Sequence, residues 1–405
     1  MGTSNPPESE SRARVSRRLR SRPSISLLIT LALILILQFT ILPRYLSEPR
    51  PAALRLSSYQ LNRLDVGLQK CTELKTKPVE YIIPSSPSRE NPRWNPQNGQ
   101  NKTIILTNAR LFDGETFVGD KDIKFSNGAI VSITDASSTE RFDEVVDVEV
   151  IDLKFRYVTP GLVDMHSHHL VGTWPDLSGT EDGNEVNAAT GPLTPFVRAL
   201  DSIKAYDLAT RMIAAGGVTS SLILPGSANI MGGEGFMVKN APNSGLHSEP
   251  VAEDLLLEHG IPKAERRRYM KMACGENPRS AYGHTRMGNA YIFRHHMERT
   301  KELVEKQDIW CLSAAAARES GDSGSIAALV NPSSSVTKGG LPEELELESS
   351  AAMLRGKIGV NVHCYEPEDF EDMILHSKEF GFRIQAFHHA LSAWKVPEML
   401  KDSGE

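Results

Sequence analysis

Beyond residue 160 the sequence alternates between short apolar runs and helical patterns, and this alternation constrains the fold more than any other feature. Apolar runs typical of strands lie at 162–165, 218–224, 236–238, 269–273, 358–362 and 384–387. Helical patterns separate several of them, at 196–215, 291–305 and 368–380. Strands that alternate with helices predict a parallel sheet. We therefore expect an α/β fold with a (β/α) TIM-type barrel, whose active groups lie at the carboxyl ends of the strands.

A smaller β region precedes the alternating part, at 103–160. Its clearest signal is a pair of apolar runs, at 122–125 and 129–133, joined by a turn that contains Asn127 and Gly128. An Asn-Gly turn between apolar runs is a strong hairpin signal. The sequence predicts a small N-terminal β-sandwich domain at 103–160, followed by the barrel at 161–405. The proline-rich residues 47–102 before it are typical of a stalk.

The first 42 residues are typical of a membrane anchor. Six arginines and two glutamates occupy residues 1–22, and 25–42 follows without a charged side chain. A helix of these 18 residues would extend ~27 Å, close to the hydrocarbon thickness of a bilayer. A cleaved signal peptide usually has a shorter apolar region, and a core helix rarely lacks a polar face. We therefore predict a single transmembrane helix at 25–42, a signal-anchor in contact with the lipid bilayer. A cytoplasmic tail at 1–24 and a lumenal or extracellular body follow from the position of the arginines.

The net charge and the cysteine spacing argue against two classes of ligand, nucleic acids and cysteine-bound zinc. The net charge of the chain is −6, whereas nucleic-acid-binding domains are usually basic, so we expect no nucleic-acid partner. Four widely spaced cysteines form no Cys-x-x-Cys pair, which argues against a cysteine zinc cluster. The sequence leaves the pairing of these cysteines and the oligomeric state open.

The segment 160–168 points to chemistry, because it reads Pro-Gly-Leu-Val-Asp-Met-His-Ser-His. Side chains alternate between the two faces of a strand, so His166 and His168 point the same way from the end of the predicted strand. Neutral imidazole is a common zinc ligand. A lone histidine would more often be a surface or core residue. Two at this spacing predict a pair of ligands to one metal ion.

Two further predicted strands also end in histidine. His363 follows the apolar run at 358–362, and His388 and His389 follow the run at 384–387. Three strand ends that carry histidine are hard to explain by packing. Other histidines lie on predicted helices or loops, and we interpret them as surface residues. These are His247, His259, His284, His295, His296 and His376.

These segments together resemble the amidohydrolase superfamily. The segment 160–168 is similar to the metal motif on the first barrel strand of that family, and 108–114 with 151–152 is similar to its flanking β-sandwich. Gly-Gly-Glu-Gly at 232–235 and Gly-Glu-Asn-Pro at 275–278 resemble a branch related to the imidazolonepropionases. The resemblance extends over residues 103–400.

The resemblance implies a set of metal ligands. His166 and His168 match the first-strand ligands, and His363 matches the ligand of the fifth strand. For the sixth strand we prefer His389 over His388, because the segment 389–396 aligns best with the family pattern in that register.

The resemblance also implies a fourth-strand ligand and a cofactor. Lys271 and Glu276 both lie near the end of the matching strand, and the sequence does not choose between them. The cofactor is a divalent metal, one or two ions, with zinc as the default for a histidine-rich site and iron or manganese as alternatives.

The implied activity is hydrolysis of a carbon–nitrogen bond other than an ordinary peptide bond. A small-molecule substrate such as a cyclic amide would be attacked by metal-activated water, and a base would move the proton to the leaving nitrogen. In the family this base is an aspartate at the end of the eighth strand. Only sixteen residues follow His389, too few for two more strand–helix units. We therefore expect a truncated barrel that is incomplete after about strand six, and a chain without its catalytic base. The alternative is a membrane-anchored, non-catalytic amidohydrolase-like protein.

Overall fold

The computed structural model of the chain describes most of its residues. They are 25–41, 55–77, 103–136, 148–241, 252–259, 261–331 and 339–403. The chain divides into two compact units, 1–56 and 57–405.

The helix of the first unit matches only part of the predicted span. Helix α1 covers Ile25–Ile36, and a π-helical turn at Leu37–Ile41 follows it. Within the described ranges no helix is long and apolar enough to cross a membrane. The predicted transmembrane helix at 25–42 is therefore wrong, and so are the bilayer contact, the signal-anchor and the single-pass localisation that depended on it.

The β region forms a five-stranded sheet. Its strands are β1 (Thr103–Phe112), β2 (Phe117–Ser126), β3 (Ala129–Asp135), β4 (Val148–Asp152) and β5 (Tyr157–Val158). Strand β1 pairs antiparallel with β2 and parallel with β4 and β5. The predicted hairpin is confirmed, because β2 and β3 pair antiparallel around Asn127 and Gly128. Both turn residues have positive φ, 52° and 69°, as a tight hairpin turn requires.

A second sheet contains the six strands that the sequence predicts. They are β6 (Leu162–Ser167), β7 (Val218–Ile223), β8 (Met231–Lys239), β9 (Arg268–Ala273), β10 (Ile358–Cys364) and β11 (Ile384–His389). Their order in the sheet follows the chain, from β6 at one edge to β11 at the other.

The predicted TIM-type barrel is wrong in one respect that changes the fold class. Strand β8 runs antiparallel to both β7 and β9, while the other neighbouring pairs are parallel. Strand β7 ends at Ile223 and β8 begins at Met231. This connection is too short for a crossover helix, since parallel neighbours need a dozen or more connecting residues. The result is a mixed α/β fold in place of a regular (β/α) repeat.

The six-stranded sheet is nearly closed. Strands β6 and β11 are its two edges, yet Nδ1 of His166 on β6 lies 2.8 Å from Nδ1 of His388 on β11. The right-handed twist of neighbouring strands curls such a sheet, and here it brings the two edges together at their carboxyl ends.

The described helices precede, connect or follow the strands, and several of them pack on the outer face of this sheet. After α1 they are α2 (Ser58–Lys75), α3 (Leu208–Ala215), α4 (Ala252–Leu255), α5 (Glu276–Tyr282), α6 (Arg286–Ser320), α7 (Ser323–Val330), α8 (Glu348–Leu354), α9 (Pro367–Phe380) and α10 (Pro397–Asp402). Met270, Met272, Val360 and Val362 on the strands are buried in one apolar cluster with Phe370 of α9. The helix predicted at 196–215 forms only in part, as a 3-10 turn at Ala199–Ser202 and α3.

Helix α2 lies where the sequence predicts a stalk. A disulfide joins its Cys71 to Cys311 on α6, with the Cα atoms 5.8 Å apart. Gly67 on α2 faces Trp310 on α6, and that indole is 2% exposed. The absent side chain lets the ring pack directly on the helix backbone. A second disulfide, Cys274–Cys364, links the ends of β9 and β10.

We expect Gly67→Ala to lower the free energy of unfolding. A Cβ at residue 67 would overlap Cη2 of Trp310, and overpacking of this kind costs ~1–3 kcal/mol. The control is Gly288→Ala on α6, where the nearest atom to a new Cβ is 3.6 Å away. It should leave stability unchanged or raise it slightly, because alanine is the better helix former. Equal midpoints for both variants in chemical denaturation would contradict this packing.

Candidate active site

Two histidines at the end of β6 face each other. Nε2 of His166 lies 3.1 Å from Nε2 of His168. Nδ1 of His168 lies 2.8 Å from the carbonyl oxygen of Leu224. Because a carbonyl only accepts, His168 carries its proton on Nδ1, and its Nε2 faces His166 with a lone pair.

A third imidazole reaches the same ring from the opposite edge of the sheet. His388 is in register with His363 on the neighbouring strand, so both point to the inner face. Its Nε2 lies 2.9 Å from Oδ1 of Asn361, while Nδ2 of Asn361 donates to the carbonyl of Gly359. This orientation of the amide places the proton of His388 on Nε2. The lone pair on its Nδ1 then faces Nδ1 of His166.

These contacts leave one nitrogen pair without a proton between its members. Neutral His166 has a single N–H and two imidazole nitrogens as neighbours, Nδ1 of His388 and Nε2 of His168. It can donate to only one of them. Two nitrogen lone pairs therefore face each other at one of these contacts, and a cation is what such a pair would attract.

The fourth and fifth imidazoles complete a cluster at this end of the sheet. The ring of His389 lies 4.5 Å from that of His166 and 4.8 Å from that of His363, measured between centroids. His389 has a φ of 65°, a left-handed conformation that a side-chain-bearing residue adopts only where the surroundings hold it. The turn folds its ring back over the inner face.

Lys271 lies beneath the histidines. It is fully buried on the inner face of β9, and its Nζ donates to the carbonyl of Pro225 and to Oγ of Ser227, both at 3.1 Å. Burial lowers the pKa of Lys271 to about 7. Its charge in turn lowers the pKa of every histidine in the cluster, at His166, His168, His363, His388 and His389.

Burial keeps the imidazoles neutral. It is the main cause that lowers the pKa of His166 to about 2 and that of His388 to about 4. It also lowers the pKa values of His168, His363 and His389. At pH 7 all five rings are in the neutral form, which is the form that binds metal ions.

Glu276 lies beside the cluster and holds one of its members. Its Oε1 accepts from Nε2 of His363 at 2.9 Å. Nδ1 of His363 is buried and has no hydrogen-bond partner, which is unusual for a buried polar atom. Of the two predicted fourth-strand residues, Lys271 lies on the inner face with its Nζ on Pro225 and Ser227, and Glu276 contacts His363 from the first residue of α5.

No complete ligand set is preformed in the part of the chain that the structure describes. Among those residues no group of three or more His, Cys, Asp or Glu side chains is arranged to hold one ion. The reason is visible at His166, which contacts His168 through Nε2 and His388 through Nδ1. The lone pairs therefore do not converge on one point.

The interpretation of the remaining histidines is correct for His295, which is exposed, and wrong for His296 and His376, which are buried. His247 lies outside the described residues. His169, which the sequence analysis did not consider, is buried away from the cluster, between Oγ of Ser167 and Oδ1 of Asn240.

Sequence reasoning missed the residues that position the site. Asn361 lies two residues before His363, so strand alternation places both on one face, and this signal could have identified it. The contacts of Lys271 with Pro225 and Ser227 gave no signal, because they join segments 46 and 44 residues apart.

No family model matches this chain. It is similar to "Amidohydrolase tasK" from Hapsidospora irregularis, with 37% identity over 365 residues, which cover 84% of this chain and 34% of that protein. The chain thus spans about a third of the length of this curated relative.

Among solved structures it is similar to an amidohydrolase from Thermotoga maritima MSB8. The identity is 29% and the TM-score is 0.57, and the match covers 74% of this chain and 67% of the other. Both relatives are named amidohydrolases, in agreement with the family that the segment 160–168 resembles. The chain belongs to the amidohydrolase superfamily.

Proposed function

We propose that the protein is a metal-dependent hydrolase of carbon–nitrogen bonds other than ordinary peptide bonds, with a cyclic amide as the substrate class. The observation that carries this proposal is the pair of facing nitrogen lone pairs among three neutral histidines. Membership of a family of hydrolases supports it.

The distances around His166 fit a divalent ion. Two ligands of a tetrahedral zinc ion, each ~2.0–2.1 Å from the metal, lie ~3.3 Å apart. Nε2 of His166 and Nε2 of His168 are 3.1 Å apart. We assign these two nitrogens as ligands, with zinc as the default metal. His363 and His389 join them in the proposed set, and rotation of their rings is the adjustment that a bound ion requires.

Other groups of the chain prepare the histidines. The carbonyl of Leu224 and the amide of Asn361 each fix one tautomer, at His168 and His388. Glu276 accepts from Nε2 of His363 and leaves Nδ1 free, which is the common arrangement of a carboxylate behind a metal-binding histidine. The buried Lys271 supplies the fourth-strand group. When bound, the metal supplies Lewis acidity that polarises a carbonyl and acidifies water.

A cavity with room for a small molecule lies next to Pro225, and none of the five histidines lines it. A cavity of about 360 Å³ is lined by Pro225 and Gly232, among others. Pro225 holds Lys271 through its carbonyl, and the preceding residue, Leu224, holds His168. The cavity has the size of a small-ligand site. We assign no catalytic base.

We expect His166→Ala and His168→Ala each to lose most of the bound zinc, because each removes one of two adjacent nitrogen ligands. The control is His295→Ala, since His295 is an exposed residue of α6. Elemental analysis of the full chain after zinc loading and dialysis measures the effect, with circular dichroism as a check on folding. Equal metal content in all three variants would exclude this site.

Glu276→Ala should weaken zinc binding by ~10–100-fold, the usual effect of losing the carboxylate behind a histidine ligand. Glu276→Gln keeps an oxygen acceptor for His363 and should lose less. Glu298→Ala, a change of an exposed glutamate on α6, is the control. Competition with a chromogenic zinc chelator gives the three dissociation constants. An unchanged constant for Glu276→Ala would separate this residue from the metal.

Hydrolysis of hydantoin or dihydrouracil by the zinc-loaded chain should exceed that of a linear dipeptide. Chelation, or the His168→Ala change, should reduce turnover to the level of buffer, because both remove the ion that activates water. Ring opening is followed by absorbance. Zinc binding without hydrolysis of any cyclic amide would favour the alternative, a non-catalytic protein with this fold.

A further inference from the structure

A second cavity lies at the end of the six-stranded sheet that is opposite to the histidines. Its volume is about 500 Å³. Arg268, the first residue of β9, and Lys357, which immediately precedes β10, line it. The histidines lie at the carboxyl ends of the same sheet, so this cavity is separate from the proposed catalytic site. Its volume is within the range of small-molecule sites.

The interior of this cavity is apolar. Four leucines from three segments of the chain line it, and two alanines from α8 complete the surface. The residues are Leu74, Leu303, Leu341, Leu345, Ala351 and Ala352. Leu345 is 86% exposed, so an apolar side chain stands in solvent where a ligand would cover it. This lining suits the hydrocarbon part of a ligand.

The walls of the cavity are fixed before any ligand arrives. Helix α2 forms one wall, and the Cys71–Cys311 disulfide ties it to α6. Lys70 of the same helix pairs with Glu343 across the cavity lining, at 2.7 Å. A preformed cavity binds with a smaller cost in conformational entropy than one that must be ordered by its ligand.

The acidic and basic side chains that line the cavity differ in how many of them have a direct partner. Its four glutamates all have partners: Glu343 with Lys70, Glu348 with Arg268, Glu344 with Arg299, and Glu73 with Nε2 of Gln69. Of the five lining cations, Lys70, Arg266 and Arg268 form ion pairs. The remaining two, Lys263 and Lys357, form no direct ion pair among the described residues; the charge of Glu253 acts on Lys263, and those of Glu348 and Glu73 act on Lys357, from a longer distance.

Lys357 is the more constrained of these two lysines. Its Nζ donates to the carbonyl oxygen of Glu73, near the end of α2. Burial, together with the charges of Arg268 and Arg355, lowers the pKa of Lys357 against the opposing charges of Glu348 and Glu73. A half-buried ammonium group without a carboxylate in direct contact is stabilised when an anion binds beside it.

We propose that this cavity binds a small organic acid with an apolar body. The leucines contact the body, and Lys263 and Lys357 bind the acidic group. The site is independent of the histidine cluster and remains a prediction whether or not that cluster is catalytic.

The test compares two dyes of similar shape with the full chain. 8-Anilinonaphthalene-1-sulfonate has an anionic group on an apolar body, and N-phenyl-1-naphthylamine has the apolar body alone. The combined change Lys263→Gln and Lys357→Gln should weaken binding of the sulfonate by about tenfold or more, since a hydrogen bond to a charged group contributes ~1.5–3 kcal/mol. It should leave the neutral dye unaffected. The matched control is the pair Lys301→Gln and Lys306→Gln, which removes two exposed charges from α6.

A second variant keeps the proposal testable if the lysine changes disturb folding. Ala264 lines the cavity and is exposed, so Ala264→Trp adds a ring at the rim without entering the core. It should weaken binding of both dyes, whereas the α6 control should weaken neither. Equal sulfonate affinity in the Lys263/Lys357 variant and its control would overturn the proposal. So would dye binding that Ala264→Trp leaves unchanged.

Discussion

The apolar contact between the six-stranded sheet and the helices on its outer face determines which side chains point to the inner face. Met270, Met272, Val360 and Val362 turn outward, where they pack with residues such as Phe370. Because successive side chains of a strand point to opposite faces, burying these residues forces the intervening ones inward. Lys271 and His363 reach the inner face for this reason, and the cluster is a consequence of how the outer face packs.

The inner face is polar, buried and almost closed, and this combination determines its chemistry. Removal of solvent disfavours the charged forms of both lysine and histidine. The pKa of Lys271 falls to about 7 and that of His166 to about 2. The histidines consequently remain neutral, and the single N–H of His166 cannot donate to both of its imidazole neighbours. A site with an excess of nitrogen lone pairs is suited to a divalent cation, which connects burial directly with the proposed function.

The two ends of the sheet differ in what they offer a ligand. At the carboxyl ends, neutral imidazoles from β6 and β11 contact each other at His166, and they favour a cation. At the amino ends of β9 and β10, Lys263 and Lys357 form no direct ion pair among the described residues, and they favour an anion above an apolar surface. Helix α2 lines the cavity at this second end, and the disulfide to Cys311 ties it to α6. One sheet therefore positions two sites of opposite charge preference.

The sequence by itself determined the features that depend on local pattern. Apolar runs located all six strands of the second sheet, and an Asn-Gly turn located the hairpin at Asn127. The spacing of His166 and His168 placed both on one face, and the segment 160–168 resembles the family that the comparisons confirm. Each of these features depends on residues that are close together in the sequence, so each can be predicted without a structure.

Tertiary structure decided what depends on distant segments. The direction of β8 follows from its short connection to β7, and none of the described helices can cross a membrane, which contradicts the predicted anchor. Strand register placed His388 beside His363, and a left-handed turn brought the ring of His389 to 4.8 Å from that of His363. The pairing of Cys71 with Cys311 spans 240 residues. The sequence pattern reports which face a residue prefers, whereas register and cavities arise only when separate elements pack, because their energies belong to contacts between residues far apart in the chain.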